Sequence, residues 1–363
     1  MESDKLIEIT KALRLEVINI LYTYDLTNDK RALEALTAID DMFERLDVAV
    51  EDVIPEDMMH SYFEGIDNAG LLMSEAGVSV AGGLQASISS SGKIASAFKT
   101  QAHLAAIAEV TDNTMMDLKA AIRTAQQNTY FTLKTVLEEV KDELQSGIIR
   151  GNTRRDITAK VAQAFERDGL KAFKTIDDKW LPLDFYAETV VRTNLKDANV
   201  KGAVNRYLDN DVELVRIFER DDGCDECARY NGIVVSLTGK HEGYPTVHEA
   251  PLPPRHPSCR GSVHPYVIEY VSDKEMQEDM QRWKEFDPNK DVRSESDKKA
   301  YAEQQRLNRI NNYEKKRYAT VVATIGKENS PKTLGAFKRM KRSNSKGYKE
   351  LMQKMREANN KQT

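Results

Sequence analysis

VELVRIFERDDGCDECARYNGIVVSL, residues 212–237, and PPRHPSCRGSVHPYV, residues 253–267, are the stretches on which the fold of this chain turns. VELVRIFE (212–219), GIVVSL (232–237) and VHPYVIEYV (263–271) are short and rich in β-branched residues, which predicts three strands. The turns between them carry all three cysteines of the chain, Cys224, Cys227 and Cys259. Four of the six histidines, His241, His248, His256 and His264, lie in or beside the same window. Residues 241–259 also hold five of the ten prolines, which marks that stretch as a loop.

Cys224-x2-Cys227 is followed, after 28 residues, by His256-x2-Cys259. Structural zinc is tetrahedral and takes Cys and His ligands, commonly as two close pairs, because a two-residue gap lets both side chains reach one ion from a single turn. One structural zinc on Cys224, Cys227, His256 and Cys259 is therefore a candidate, with His264 as an alternate ligand. A metal would supply folding energy that so small a strand module lacks. A metal-free knot, in which these groups pack and hydrogen-bond in a tight turn, satisfies the same spacing. Ligand type and spacing leave both open.

Catalytic readings find less support. A thioredoxin-type pair opens a helix inside a βαβ unit, whereas Asp221, Asp222 and Gly223 precede Cys224 and no parallel α/β pattern surrounds it. A zinc deaminase needs H-x-E ahead of P-C-x-x-C, and no H-x-E occurs. A Cys259 nucleophile with His256 or His264 finds no orienting Asn and no oxyanion donor. Neither a P-loop nor G-x-G-x-x-G is present. The expectation is a protein that is not an enzyme.

Outward from the cluster the pattern is helical. Apolar residues recur every three or four positions in LIEITKALRLEVINIL and ALEALTAIDDMFERL. The Gly- and Ser-rich GVSVAGGLQASISSSGK, 77–93, reads as a hinge or loop. Leu118, Ile122, Ala125, Thr129, Leu133, Val136, Val140 and Leu144 form one stripe of a long helix that Gly147 can end. Thr153 and Asp156 resemble a capping box ahead of Ile157, Val161 and Phe165. Pro182 precedes another helix, 183–208. After Val271 helix formers return in KEMQEDMQRWKEF and in KKAYAEQQRLNRINNYEKKRYATVVATI. The expected architecture is mainly α with a small α+β module. It comprises an N-terminal helical region 1–76, the hinge 77–93, a helical body 94–182, a core 183–271 with short antiparallel strands around the Cys/His cluster, and a helical extension 272–363 that is basic at its end.

The chain has 363 residues, 31% of them charged, with a net charge of −5. That length allows two or three domains. No apolar run is long enough for a membrane-spanning helix, and the charged, periodic start is unlike a signal peptide. Three cysteines make no disulfide framework, so a reducing, cytoplasm-like setting is expected. From Pro331 onward seven Lys and three Arg face two Glu, a net +8, which leaves −13 on the first 330 residues. A basic tail on an acidic body suits an acidic partner, nucleic acid or protein. Lys338, Arg339, Lys341 and Arg342 are the expected contacts. A zinc-stapled nucleic-acid-binding protein is the alternative reading, although Arg229, Lys240 and Arg255 are the only basic residues between the two ligand pairs.

Residues 186–267 resemble the head morphogenesis domain of the phage Mu F protein type, found in minor head or minor capsid proteins of tailed phages. The matching pieces come in order: the helix AETVVRTNLKDANVKGAVNRY, the strand VELVRIFERDD, then GCDECARYNGIVVSL and PPRHPSCRGSVHPYV. Gly261 stands where the family usually has a second cysteine. The resemblance implies a virion protein in the head interior or near the portal, made in the host cytoplasm. It further implies contacts with portal, major capsid or scaffolding protein, and with phage DNA, including passage with that DNA at ejection.

Overall fold

The computed structural model describes residues 2–81, 95, 98–145, 154–220, 222–257 and 259–360. Among them are ten α-helices and two small antiparallel sheets, so the fold is mainly α with a small α+β module. The chain divides into two compact units, 52–116 with 189–305, and 2–51 with 117–188 and 306–363.

In the unit that holds the N-terminal helix, α1 (Glu2–Thr23) buries Leu6, Leu13, Val17 and Leu21 on one face. It packs on α4 (Arg154–Asp168), where Arg14 donates to the Glu166 carbonyl at 2.9 Å. α2 (Asp29–Glu75) adds Ala35, Ile39, Phe43 and Leu46. α3 (Gln101–Gln145) adds Leu118, Ile122, Ala125, Thr129, Leu133, Val136 and Val140, the stripe expected from the sequence, now seen buried. The helix starts well before that stripe. The side chain of Leu144 lies outside the described residues, as do Gly147 and Thr153.

Thr129 is fully buried and its hydroxyl has no hydrogen-bond partner. A buried unsatisfied hydroxyl costs about 1–3 kcal/mol, and valine has nearly the same shape. Thr129→Val should therefore raise the denaturant midpoint, by about 1 kcal/mol of stability. A lower midpoint would show that the hydroxyl is satisfied after all.

Residues 171–182 were expected inside a helical body and instead form a hairpin. β1 (Lys171–Lys174) pairs antiparallel with β2 (Trp180–Pro182), Phe173 opposite Leu181. The turn closes through the Thr175 amide on the Lys179 carbonyl, 2.8 Å, with Asp178 at φ 63°. Asp is one of the few side chains that tolerate this conformation, so the Asp177–Asp178 pair is the local signal for the turn.

In the other unit α2 crosses α5 (Leu183–Leu208) at backbone contact. A Cβ on Gly65 would lie 1.9 Å from the Asn199 carbonyl oxygen, and one on Gly202 would lie 2.0 Å from that of Tyr62. Ser61 donates to the Leu195 carbonyl at 2.7 Å across the same seam. Here too His103, wholly buried on α3, links three helices. Asn205 donates to the Tyr62 hydroxyl at 2.6 Å, and that hydroxyl lies 2.8 Å from His103 Nδ1. His103 Nε2 is 2.9 Å from the Asp209 carboxylate. With Nε2 donating to the carboxylate, Nδ1 accepts from Tyr62 and every group in the chain is satisfied.

The three-stranded sheet has the order β4-β3-β5, formed by β3 (Leu214–Phe218), β4 (Val234–Ser236) and β5 (Ser262–Pro265), all antiparallel. Val215, Ile217, Val235 and Val263 pack with Tyr207, Met73 and Ala69 in one apolar cluster. The expected third strand, 263–271, ends early, at Pro265. Ile268–Tyr270 turn as a 3₁₀ segment, which lets Ile268 and Val271 close on a second cluster of Leu214, Val234, Tyr244 and Tyr266. α7 (Asp273–Lys284) docks there through Asp279, which accepts from Arg216 at 2.6 Å and from the Tyr266 hydroxyl at 2.9 Å. Of the expected hinge 77–93, residues 82–93 lie outside the described residues.

Candidate metal centre

The strand register brings the two ligand pairs together. Phe218 at the end of β3 stands opposite Ser262 at the start of β5, and Arg216 pairs with Val234 at the start of β4. The chain leaving β3 and the chain entering β5 therefore meet at one end of the sheet. Cys224 caps a short helix, α6 (Asp225–Ala228), its sulfur accepting from the Cys227 amide at 3.4 Å. On the other side the Cys259 amide donates to the His256 carbonyl at 3.0 Å, which folds His256-x2-Cys259 into a turn.

His256 Nε2 lies 3.0 Å from both Cys224 Sγ and Cys227 Sγ, and Cys227 Sγ lies 3.5 Å from Cys259 Sγ. The three cysteines are free thiols. His256 Nδ1 is 2.8 Å from the Pro257 carbonyl, which can only accept, so Nδ1 carries the proton and Nε2 turns its lone pair to the sulfurs. This is the usual outer-shell arrangement of a metal-binding histidine. Bonds of about 2.3 Å to sulfur and 2.0–2.1 Å to nitrogen imply tetrahedral edges of roughly 3.6–3.8 Å. The two sulfur–nitrogen separations and the Cys227–Cys259 separation are shorter than these edges by up to about 0.6 Å. Cys259 falls in a different donor group from Cys224 and His256, so its side chain must move to complete a tetrahedron with them. A pocket of about 160 Å³ lined by Cys224, Cys227, His256 and Cys259 provides an entry path. Cys224, Cys227 and His256 form a donor set that could hold a metal, with Cys259 against Cys227 on its far side.

Two cations act on Cys259, Lys196 from α5 and Arg255 beside His256, and burial pushes both of their own pKa values down. The hydrogen bond from Cys227, with backbone amides and the Arg255 charge behind it, lowers the Cys259 pKa. The same hydrogen bond, together with burial, raises that of Cys227. Of the two thiols, Cys259 is the one that ionises first.

His264 is not brought to this cluster. It sits on β5 with Nε2 3.3 Å from the Ser262 hydroxyl, its ring against Phe218 at 4.2 Å between centroids. His241 serves the proline loop, 3.0 Å from Glu213, and His248 is exposed. Glu219 was missed in the sequence. Its carboxylate, Cys227 Sγ and Cys259 Sγ lie within 4.8 Å of one another. No spacing rule points to it, because only the β3–β5 register sets it there. In the basic tail, α9 (Leu334–Arg342) carries all four expected cations. Lys338 and Lys341 lie 3.5 and 3.3 Å from the Glu314 carboxylate on α8 (Glu295–Ile325), while Arg339 and Arg342 are exposed.

The family described as phage minor capsid protein 2 matches residues 66–355, a span that contains the whole cluster and α9. The chain belongs to that family. As a minor capsid protein it has a structural role in a phage particle, and other components of that particle are its partners. Membership in a structural capsid family speaks for a role without catalysis. No curated protein and no solved structure matches the chain. Among the described residues no helix is long and apolar enough to cross a membrane.

Proposed function

We propose that this minor capsid protein acts in head assembly, at the portal or the inner face of the shell, and that its cluster holds one structural zinc. Family membership over residues 66–355 carries the first half of this reading. The convergence of Cys224, Cys227 and His256, with Cys259 Sγ 3.5 Å from Cys227 Sγ, supports the second. Residues 183–271 act as a head-morphogenesis core of the Mu F type. Bound zinc supplies a cross-link between the two loops at one end of a sheet too small to close them by itself. Cys224 and Cys227 contribute from the first loop, His256 and Cys259 from the second. The test is co-sedimentation of the purified chain with portal rings and with procapsids. Binding to either supports the assembly role, and binding to neither removes it.

The basic tail is proposed as the contact for packaged DNA or an acidic protein face. Because Lys338 and Lys341 already face Glu314, Arg339 and Arg342 are the two of the four expected contacts that are exposed. If the partner is DNA, each phosphate contact contributes about one unit to the slope of log affinity against log salt. Arg339→Gln with Arg342→Gln should flatten that slope by about two. An affinity for mixed-sequence duplex that ignores salt would exclude DNA.

A further inference from the structure

Beside the cluster lies a buried charge pair that the zinc reading leaves without a role. Glu219 follows β3 and Arg255 precedes His256. Their side chains are each 3% exposed and form a direct ion pair. Arg255 also donates to the Pro251 carbonyl at 2.9 Å, lies over the Tyr230 ring at 4.6 Å, and has an Nε without a partner. On its other side the Glu219 carboxylate faces Cys227 and Cys259. Gly261 closes over it, since a Cβ there would come within 2.2 Å of Glu219 Oε1.

Two sets of three donors therefore share Cys227. One is Cys224, Cys227 and His256, and the other is Glu219, Cys227 and Cys259. When Cys259 swings in to join Cys224, Cys227 and His256, as the zinc reading requires, the metal has four ligands, and the Glu219 carboxylate, already grouped with Cys227 and Cys259, stands beside it as a fifth donor. We propose that Arg255 withholds Glu219 from the metal and so sets coordination number and metal preference at this centre. The inference rests on the reading of the cluster as a metal site. An arginine stays charged at every accessible pH, and its charge-assisted bond to a buried carboxylate is strong. Without it, Glu219 is a buried anion lacking a countercharge, a costly state. Freed from Arg255, the carboxylate is within reach of a metal on Cys227 and Cys259, and a carboxylate ligand shifts the site from soft ions toward harder ones.

The test uses the full chain loaded with Co(II) alone and read by visible absorption. The parent should show the intense ligand-field bands of a four-coordinate thiolate site. Arg255→Met should lower that intensity severalfold as Glu219 joins as a fifth ligand, and Arg255→Met with Glu219→Gln should restore it. An Arg255→Met spectrum identical to the parent overturns the proposal. Glu219→Gln alone keeps Arg255 in place and covers the case in which Arg255→Met does not fold. Its spectrum should match the parent, and a change would mean that Glu219 is already a ligand, which also overturns the proposal. A parent that binds neither Co(II) nor Zn(II) removes the metal reading itself, and the proposal falls with it. That result is distinct from a loaded parent whose spectrum ignores Arg255.

Discussion

Replacing Gly202 with alanine is expected to cost at least about 3 kcal/mol, the upper part of the range for overpacking. The added carbon would stand 2.0 Å from the Tyr62 carbonyl oxygen and 3.0 Å from its carbon. Both atoms belong to the backbone of α2, so no side-chain rotation relieves the clash and the two helices must part. Parting them also strains the bonds that cross the seam, Ser61 to the Leu195 carbonyl and Asn205 to the Tyr62 hydroxyl. The Tyr62–His103–Asp209 chain beside it would lose its geometry as well. Gly65→Ala should act alike from the other helix, against the Asn199 carbonyl at 1.9 Å. Chemical denaturation of parent and variant checks this. A Gly202→Ala protein within about 0.5 kcal/mol of the parent, the spread of an ordinary surface substitution, would mean that α2 and α5 do not meet at these glycines.

The second large effect concerns the metal. The parent is expected to hold one zinc per chain, and the Cys224→Ser, Cys227→Ser double variant none. A site occupied at free zinc a thousandfold above its Kd stabilises the folded state by about 4 kcal/mol. Chelation should lower the thermal midpoint of the parent and leave the double variant unmoved. Affinity should fall steeply with acid, because three thiols and one imidazole must be free of protons to bind. Protons compete with the ion, so the stability gained from it is present at neutral pH and lost as pH falls. A parent without metal, whose midpoint ignores chelator, would leave the cluster as a hydrogen-bonded turn. The sulfur–nitrogen contacts of 3.0 Å and the Cys227–Cys259 contact of 3.5 Å would then hold it together.

Much of this was legible in the chain because the signals are local. The stripe from Leu118 to Val140 repeats every three or four residues, and a helix turns such a repeat into one face whatever surrounds it. The Cys224–Cys227 spacing is likewise local and aims both sulfurs at His256, whereas the same spacing leaves His256 and Cys259 in different donor groups. The hairpin at 171–182 was harder to see. Its strands are three or four residues long, too short to show alternation, and the Asp177–Asp178 turn is a weak cue by itself.

What the sequence by itself determined is the helical class, the approximate strands, and the clustering of Cys224, Cys227 and His256. Tertiary structure alone decided the rest. Gly65 and Gly202 look like ordinary helix-weakening residues until α2 and α5 are seen to cross on them. His103 is a lone histidine in the sequence and a fully bonded buried link in the fold, because its partners come from α2 and from Asp209, just past the end of α5. Glu219 reads as the end of a strand, and Arg255 as a base in a proline loop. The register of β3 against β5 sets the carboxylate beside Cys259, and Gly261 leaves the room it occupies. Contacts between residues far apart in the chain depend on which elements pair and in what register, and no local spacing encodes that.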